Sequence, residues 1–347
     1  METKVYAIDA KCPEFSSLAR AAEVIKSGGL VAFPTETVYG LGANGLNPSA
    51  VAKIFKAKGR PSDNPLILHI ADSFEVEKLV RLVPANARVL MEKFWPGPLT
   101  LVLKRTLAVP DEVTGGLDTV AIRLPDSLVA RELIRLAGVP IAAPSANTSG
   151  RPSPTTAQAV LADLDGKISI VVDAGPCGIG VESTVVDCTT PVPTLLRPGG
   201  VTLEKLLAVL GEIELDAALN SESAVPRAPG MKYTHYAPLA PMVLYEGDES
   251  NISAAIVNAA TIAMTSKRVG AVVSTETAAL LPPKVAVAAY GSRQCPEEVA
   301  AGLYQALRAF DSNPVDVIYA EGIAEIGLGL AVMNRMRKAA GYRIVNC

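Results

Sequence analysis

Histidine is nearly missing from this chain. Among 347 residues there are two, His69 and His235, beside a single tryptophan and an aromatic share of 5%. Two histidines leave few ways to assemble a Ser–His–Asp triad. The cysteines, Cys12, Cys177, Cys188, Cys295 and Cys347, contain no Cys-x-x-Cys pair, so a Cys/His zinc site has no framework. Their odd number, with no basic-then-apolar leader in the opening METKVYAIDAKC, points to reduced thiols and a cytoplasmic location. The scarcity of aromatics argues against a surface that stacks bases. Long apolar runs are also missing. Stretches such as Ile256–Met264 fall short of the roughly 20 residues that a membrane span needs. Neither sign of charge dominates: the net charge is −3, and residues 1–211 are balanced. That excludes a protein coated in basic residues for nucleic acid. There is no Gly-x-x-x-x-Gly-Lys-Ser/Thr phosphate loop, no His-Glu-x-x-His and no Gly-x-Ser-x-Gly, and no Gly-x-Gly-x-x-Gly follows the first strand.

What is present is ample core material, 49% hydrophobic against 19% charged residues. The length suits about two domains. Over the first 210 residues, short β-rich runs alternate with amphipathic stretches. Val5–Ile8, Leu30–Phe33, Leu66–Ile70, Thr100–Leu103, Val120–Arg123, Pro140–Ala143, Ile168–Val172 and Ser183–Val186 read as strands. Leu18–Lys26 reads as a helix stopped at Gly28–Gly29, and Asn47–Pro48 opens another over Ser49–Ala57. Ser73, Ser127, Thr155 or Thr156, and Thr202 are positioned to cap further helices. Residues 212–240 carry Pro226, Pro229, Gly230 and Pro238, with Pro241 just after, show little periodicity and read as a linker. Its Gly230–Pro238 stretch is too aromatic for a mere tether and reads as a docked loop. From Pro241 a second strand–helix alternation begins, suggesting a small open parallel sheet, Rossmann-like in topology.

Five strand ends in the first part bear similar chemistry. Phe33–Gly42 runs from a strand into hydroxyls, Glu36 and two glycines. Lys53–Pro65 sets Lys58 and Arg60 around a glycine where a helix ends, which serves either the helix dipole or a phosphate. His69 sits in an otherwise apolar strand and needs a polar partner. Arg123 closes another apolar strand, placed for a carboxylate, a phosphate or a surface salt bridge. Ile141–Thr155 opens from a buried strand into Ser145, Asn147, Arg151 and Ser153, held by three prolines. Val181–Val186 and Leu195–Gly200 each add a polar group beside an apolar strand. Hydroxyls, amides and guanidinium groups recur, with few carboxylates. Together they describe an anion-binding cleft for a nucleoside triphosphate and a small polar molecule.

These segments together resemble the threonylcarbamoyl-AMP synthase family in its longer, two-domain form. The matching pieces are Pro34–Leu41, Lys58-Gly-Arg60-Pro with Asn-Pro-Leu after it, Ser145-Ala-Asn147, Ser183–Val186 and Arg197-Pro-Gly. The linker Lys232–Pro238 and the C-terminal Ala331–Ala340 match as well. The resemblance implies a mixed-sheet α/β catalytic domain with a large basic cavity over residues 1–211, a linker or lid over 212–240, and a Rossmann-like α/β domain over 241–347. It implies condensation of L-threonine, bicarbonate and ATP to threonylcarbamoyl-AMP and pyrophosphate. That product feeds threonylcarbamoylation of adenosine 37 in tRNA by a partner transferase. Carried over by motif, Thr35, His69, Arg123, Ala143 and Ser183 contact threonine. Lys58, Arg60, Ser62, Thr119, Ser145, Asn147, Ser153, Arg197 and Tyr236 contact ATP, and Lys58, Arg60, Ser145 and Asn147 are the catalytic set. ATP is a substrate accompanied by magnesium, with no tightly bound cofactor and no protein cage for a metal. Weak RNA contact is a further expectation, and membrane contact is not. An RNA-binding module or a carbamoyl-transfer enzyme on the same fold are the alternatives.

Overall fold

A computed structural model describes residues 2–13, 15–219 and 236–347. The described residues fall into two compact units. The first takes residues up to 149, 153–178 and 182–219; the second takes 150–152, 179–181 and 236–347. The aromatic middle of the linker, including His235, lies outside the described residues.

The first unit is built on one sheet. Its strands are β1 (Lys4–Ala7), β2 (Val31–Pro34), β3 (Tyr39–Asn44), β4 (Ile67–His69), β5 (Leu99–Lys104), β6 (Thr119–Arg123), β7 (Ile141–Ala142), β8 (Ile170–Asp173), β9 (Thr184–Asp187), β10 (Thr194–Arg197) and β11 (Glu214–Leu215). Among the described residues they pair in the order β1-β8-β2-β3-β7-β4-β6-β5-β9-β10-β11, with parallel and antiparallel neighbours mixed. All eight strands expected from sequence are there. The segment 39–44, read from sequence as loop, is instead β3, hairpinned antiparallel onto β2. Residues 40–45 do match the Gly-x-Gly-x-x-Gly spacing, but 40–44 lie in the strand itself rather than in a loop opening a helix. A Cβ at Gly42 would meet Phe33 Cε1 and Ile141 Cγ2 at 2.8 Å, and one at Gly45 would meet Leu68 Cδ2 at 2.5 Å. Glycine is needed there because neighbouring side chains close over the strand. Within the span read as linker, β11 adds to the sheet beside β10.

Helix boundaries follow local chemistry. Asn47 caps the helix Pro48–Lys58 by accepting from Ala50 N, and Gly59, at φ +61°, ends it. Ser127, Thr156 and Thr202 cap the helices Leu128–Ala137, Ala157–Leu164 and Leu203–Leu210. Ser73 is no cap: Asp72 holds that place before a short 3₁₀ turn. The helix Ala85–Phe94 carries no side-chain cap and was not legible in the sequence.

Two layers cover the sheet unequally. One face packs the larger core, in which Val51, Ile54, Leu90, Val160 and Leu206 from four helices meet Leu68, Leu101, Ile122 and Val186. The other face is covered over β2, β7 and β8 by the helices Phe15–Lys26 and Leu128–Ala137, through Leu18, Ile25, Leu133 and Ile134. Over β4, β6, β5, β9 and β10 the same face carries only a small cluster, Ile67, Val102, Ala121, Val185 and Leu196, all of them strand residues. These five side chains are buried, although among the described residues no helix joins their cluster, and they form an apolar floor with polar strand residues around it.

The second unit has β12 (Met242–Glu246), β13 (Val269–Val273), β14 (Ala286–Ala289), β15 (Val317–Glu321) and β16 (Ile344–Asn346), all parallel, in the order β14-β13-β15-β12-β16. This is the open parallel sheet expected from sequence, with β16 added at its edge. At the carboxyl end of β15, buried Glu321 pairs with Arg293 at 3.0 Å. The same guanidinium donates to Ser253, Ser274 and Thr277.

Candidate active site

The site is assembled by register. Parallel pairing of β4 with β6 sets His69 opposite Arg123, and antiparallel pairing of β6 with β5 sets Arg123 opposite Thr100. Side chains alternate along a strand, so Thr119, Ala121 and Arg123 share one face. That is the face of the apolar floor. On β9, Val185 stands beside Thr100, and Ser183, two residues back, points the same way. A register shift between Leu195 and Arg197 lets Arg197 pair with Val185.

Arg123 is the centre of this group and is buried. Its Nε donates to Gly97 O at 3.2 Å and its Nη1 to Thr37 Oγ1 at 2.9 Å. Its Nη2 meets Glu36 Oε1 at 2.6 Å. The surface salt bridge considered for Arg123 is therefore a buried one, and a carboxylate already lies in its fork. Thr35 does not face Arg123 directly. Its Oγ1 donates to Val38 O at 2.7 Å and accepts from the amides of Thr37 and Val38, which fixes the β2–β3 turn. Thr37 is the hydroxyl on the guanidinium, a residue missed from sequence although it sits two positions from the one chosen.

His69 is buried, edge-on to Phe33, and its Nδ1 has no hydrogen-bond partner. Burial first, and then the Arg123 charge, push its pKa down to about 3. It is a neutral imidazole with an unused ring nitrogen on the site face. Ser183 shares a hydrogen bond with Thr100 at 2.8 Å and accepts from Arg197 Nη2 at 3.1 Å. Arg197 also donates to Ser183 O. Ala143 presents only backbone; its N–H donates to Ile67 O at 2.9 Å and its side chain joins the core.

Lys58 and the Ser145–Asn147 loop form one knot. The lysine is 2% exposed. Its Nζ donates to Ser145 O at 2.6 Å, to Asn147 O, and to Asn147 Oδ1 at 3.4 Å, while Ser149 N returns a bond to Lys58 O at 2.9 Å. Ser145 Oγ donates to Asn147 Oδ1. The ammonium, expected beside a reacting phosphate, is directed at the loop itself. Arg60 follows the left-handed Gly59 and donates to Asn64 O and Pro65 O, curling the loop 60–65. Inside that curl Asn64 is 1% exposed and its Oδ1 has no partner. Asn64 was passed over in the sequence in favour of Ser62, which is exposed. Ser153 is buried and donates to Glu182 Oε1 at 2.6 Å. Thr119 lies at the far end of β6 from Arg123. Tyr236 belongs to the second unit, stacked on Tyr304 at 5.5 Å with Arg335 over its ring. Its backbone, at φ +64°, is in the left-handed region. Among the described residues no group of three or more His, Cys, Asp or Glu side chains could hold a metal ion.

Buried guanidinium groups, a neutral imidazole and hydroxyls thus surround the apolar floor. Comparison with known proteins gives the family of the chain. Residues 23–199 match the Sua5/YciO/YrdC family described as telomere recombination, and residues 201–341 match the C-terminal domain of threonylcarbamoyl-AMP synthase. The threonylcarbamoyl-AMP synthase of Bacillus subtilis is 51% identical over 99% of this chain and 100% of its own. That of Pyrococcus abyssi is 51% identical over 94% of each. The crystal structure of the P. abyssi protein complexed with L-threonine superposes with a TM-score of 0.95 at 48% identity, covering 99% of this chain and all of that one. The chain belongs to the threonylcarbamoyl-AMP synthase family, in its two-domain form.

Proposed function

We propose that the strand face of the first unit that carries Arg123 condenses L-threonine, bicarbonate and ATP into threonylcarbamoyl-AMP and pyrophosphate. The protein is an enzyme of the nucleotidyltransferase type. The observation that carries the assignment of roles is the Arg123 fork, buried, flanked by the Thr37 hydroxyl and filled by the Glu36 carboxylate. The carboxylate of threonine is assigned to the Arg123 guanidinium, alongside Glu36. Ser183 and the free Nδ1 of His69 lie on the same face for its remaining polar groups. The apolar floor, Ile67, Val102, Ala121, Val185 and Leu196, suits the nucleoside. Arg60, Asn64, Ser145 and Asn147 are assigned to the phosphates, with Lys58 holding the Ser145–Asn147 loop in place from behind.

A carbamate oxygen attacking the α-phosphorus needs no enzyme nucleophile. It needs the two groups held in line and the charge on the leaving pyrophosphate offset, which are positioning and electrostatic tasks. Magnesium enters with ATP. The contact of Tyr236 with nucleotide, and closure by the linker, rest on the sequence motif alone. The product is consumed by a transferase acting on tRNA. Weak RNA contact is supported by a cavity of about 610 Å³ whose lining includes Lys53, Lys56 and Lys167. Titration of L-threonine into the wild type and into Arg123→Gln by calorimetry tests the assignment. The variant is expected to bind at least about tenfold more weakly, since charged hydrogen bonds are lost; equal affinity would refute it. Among the described residues no helix is long and apolar enough to cross a membrane.

A further inference from the structure

Glu36 has an unused oxygen. Its Oε1 lies 2.6 Å from Arg123 Nη2, but its Oε2 is buried with no hydrogen-bond partner. The side chain is 16% exposed. A buried carboxylate oxygen without a donor costs free energy, and such atoms in native proteins are few and call for a reason. The residue is also well fixed. It sits in the β2–β3 turn, between Thr35 and Thr37, whose hydroxyls bond each other at 2.8 Å and whose backbone is tied by the Thr35 side chain. The charged and titratable groups coupled to it are Arg123 on β6, Cys177 after β8, and His69 on β4 through Arg123.

We propose that Glu36 is the general base that removes a proton from the α-ammonium of L-threonine before carbamoylation. The inference rests on the reading that Arg123 holds the threonine carboxylate. The carboxylate and ammonium of an α-amino acid share one carbon. With the carboxylate on the guanidinium, the ammonium falls beside it, where the Glu36 carboxylate now shares that guanidinium. An ammonium cannot attack bicarbonate, because its lone pair is bound to a proton. Transfer of one N–H proton to Glu36 Oε2 leaves a neutral amine. The amine nitrogen then forms a bond to the bicarbonate carbon, and the C–OH bond breaks. The hydroxyl departs as water with a second proton from the nitrogen, and the product is the carbamate anion. Glu36 returns its proton to solvent. His69 is the rival base on the same face, since its Nδ1 also lacks a partner. Arg123 adjoins both groups, so burial decides between them: it opposes a proton on an imidazole, which becomes charged, but not on a carboxylate, which becomes neutral.

The test uses the full chain with saturating ATP and bicarbonate. Glu36→Gln keeps an acceptor for Arg123 and removes the base. Threonine binding by calorimetry is expected to stay within about threefold, while the pyrophosphate release rate at neutral pH falls about 100-fold or more, as for loss of a general base. The deficit is expected to shrink as pH rises, because the substrate amine then loses its proton to solvent. Glu36→Asp is expected to keep the wild-type pH profile at a lower rate. Full activity of Glu36→Gln at neutral pH would overturn the proposal. So would a deficit that is constant with pH, a loss of threonine binding, or the same pH signature in His69→Gln alone. Normal threonine binding by Arg123→Gln would instead overturn the underlying reading, whatever Glu36→Gln does.

Discussion

Replacing Lys58 by methionine separates a loop-holding role from a phosphate-binding one. Methionine keeps most of the stem volume and removes the donors. In the folded protein the Lys58 ammonium is almost wholly buried and serves two carbonyls and one amide oxygen of the segment 145–147. Taking away one side of a buried charged hydrogen-bond set costs about 3–5 kcal/mol. The acceptors left dry, at roughly 1–3 kcal/mol each, lead to a similar figure if water does not replace the ammonium. At roughly 2–4 °C per kcal/mol for a unit of this size, the melting temperature of Lys58→Met is expected to drop by about 6–20 °C. Thermal unfolding by circular dichroism measures this. Pyrophosphate release should fall together with stability, because Ser145 and Asn147 lose their support. An unchanged melting temperature, with only the KM for ATP raised, would refute the argument and make Lys58 a free phosphate ligand.

Other perturbations test other parts. The imidazole of His69 titrates at about 3 in the fold against 6.5 when unperturbed. The unfolded chain therefore binds the extra proton first, and stability is full above pH 6.5 and lost as pH falls towards about 3, at up to roughly 1.4 kcal/mol per pH unit. His69→Gln should flatten that part of the stability profile in urea titrations run from pH 7 down to 4; an identical slope would refute it. Gly199→Ala would put a Cβ 2.3 Å from Glu182 O and 2.4 Å from Ser183 C. A backbone clash there should cost about 1–3 kcal/mol or more and weaken threonine binding through Ser183, read by calorimetry. Arg293→Met strands the buried carboxylate of Glu321 and should destabilise the second unit by about 3–5 kcal/mol, seen as lost amide protection in β13 and β15. Adding Glu321→Gln should recover part of that loss.

The sequence was most informative where a physical pattern is short and strong. Asn47–Pro48, Ser127 and Thr202 mark helix starts because a capping side chain acts within three residues of itself. The alternation of strands and helices, and the polar strand ends, follow for the same local reason. Strand β3 was hidden because Gly40 and Gly42 carry no hydrophobic signal; their reason is Phe33 and Ile141 arriving from other strands. The site shows the same division. Arg123, His69 and Ser183 were visible as polar residues in apolar runs. Thr37, Asn64 and the pairing of Glu36 with Arg123 were not, since each depends on a partner that only the sheet register supplies. Lys58 was found, but its direction was not: a buried lysine and a phosphate-binding one look alike until the carbonyls of 145 and 147 are in place.

The central claim is tested most directly by pyrophosphate release from ATP and magnesium, with L-threonine and bicarbonate supplied together, singly or not at all. Release that requires both, with threonylcarbamoyl-AMP identified in the same reaction by mass spectrometry, is the predicted result. Release at the full rate without threonine would contradict it.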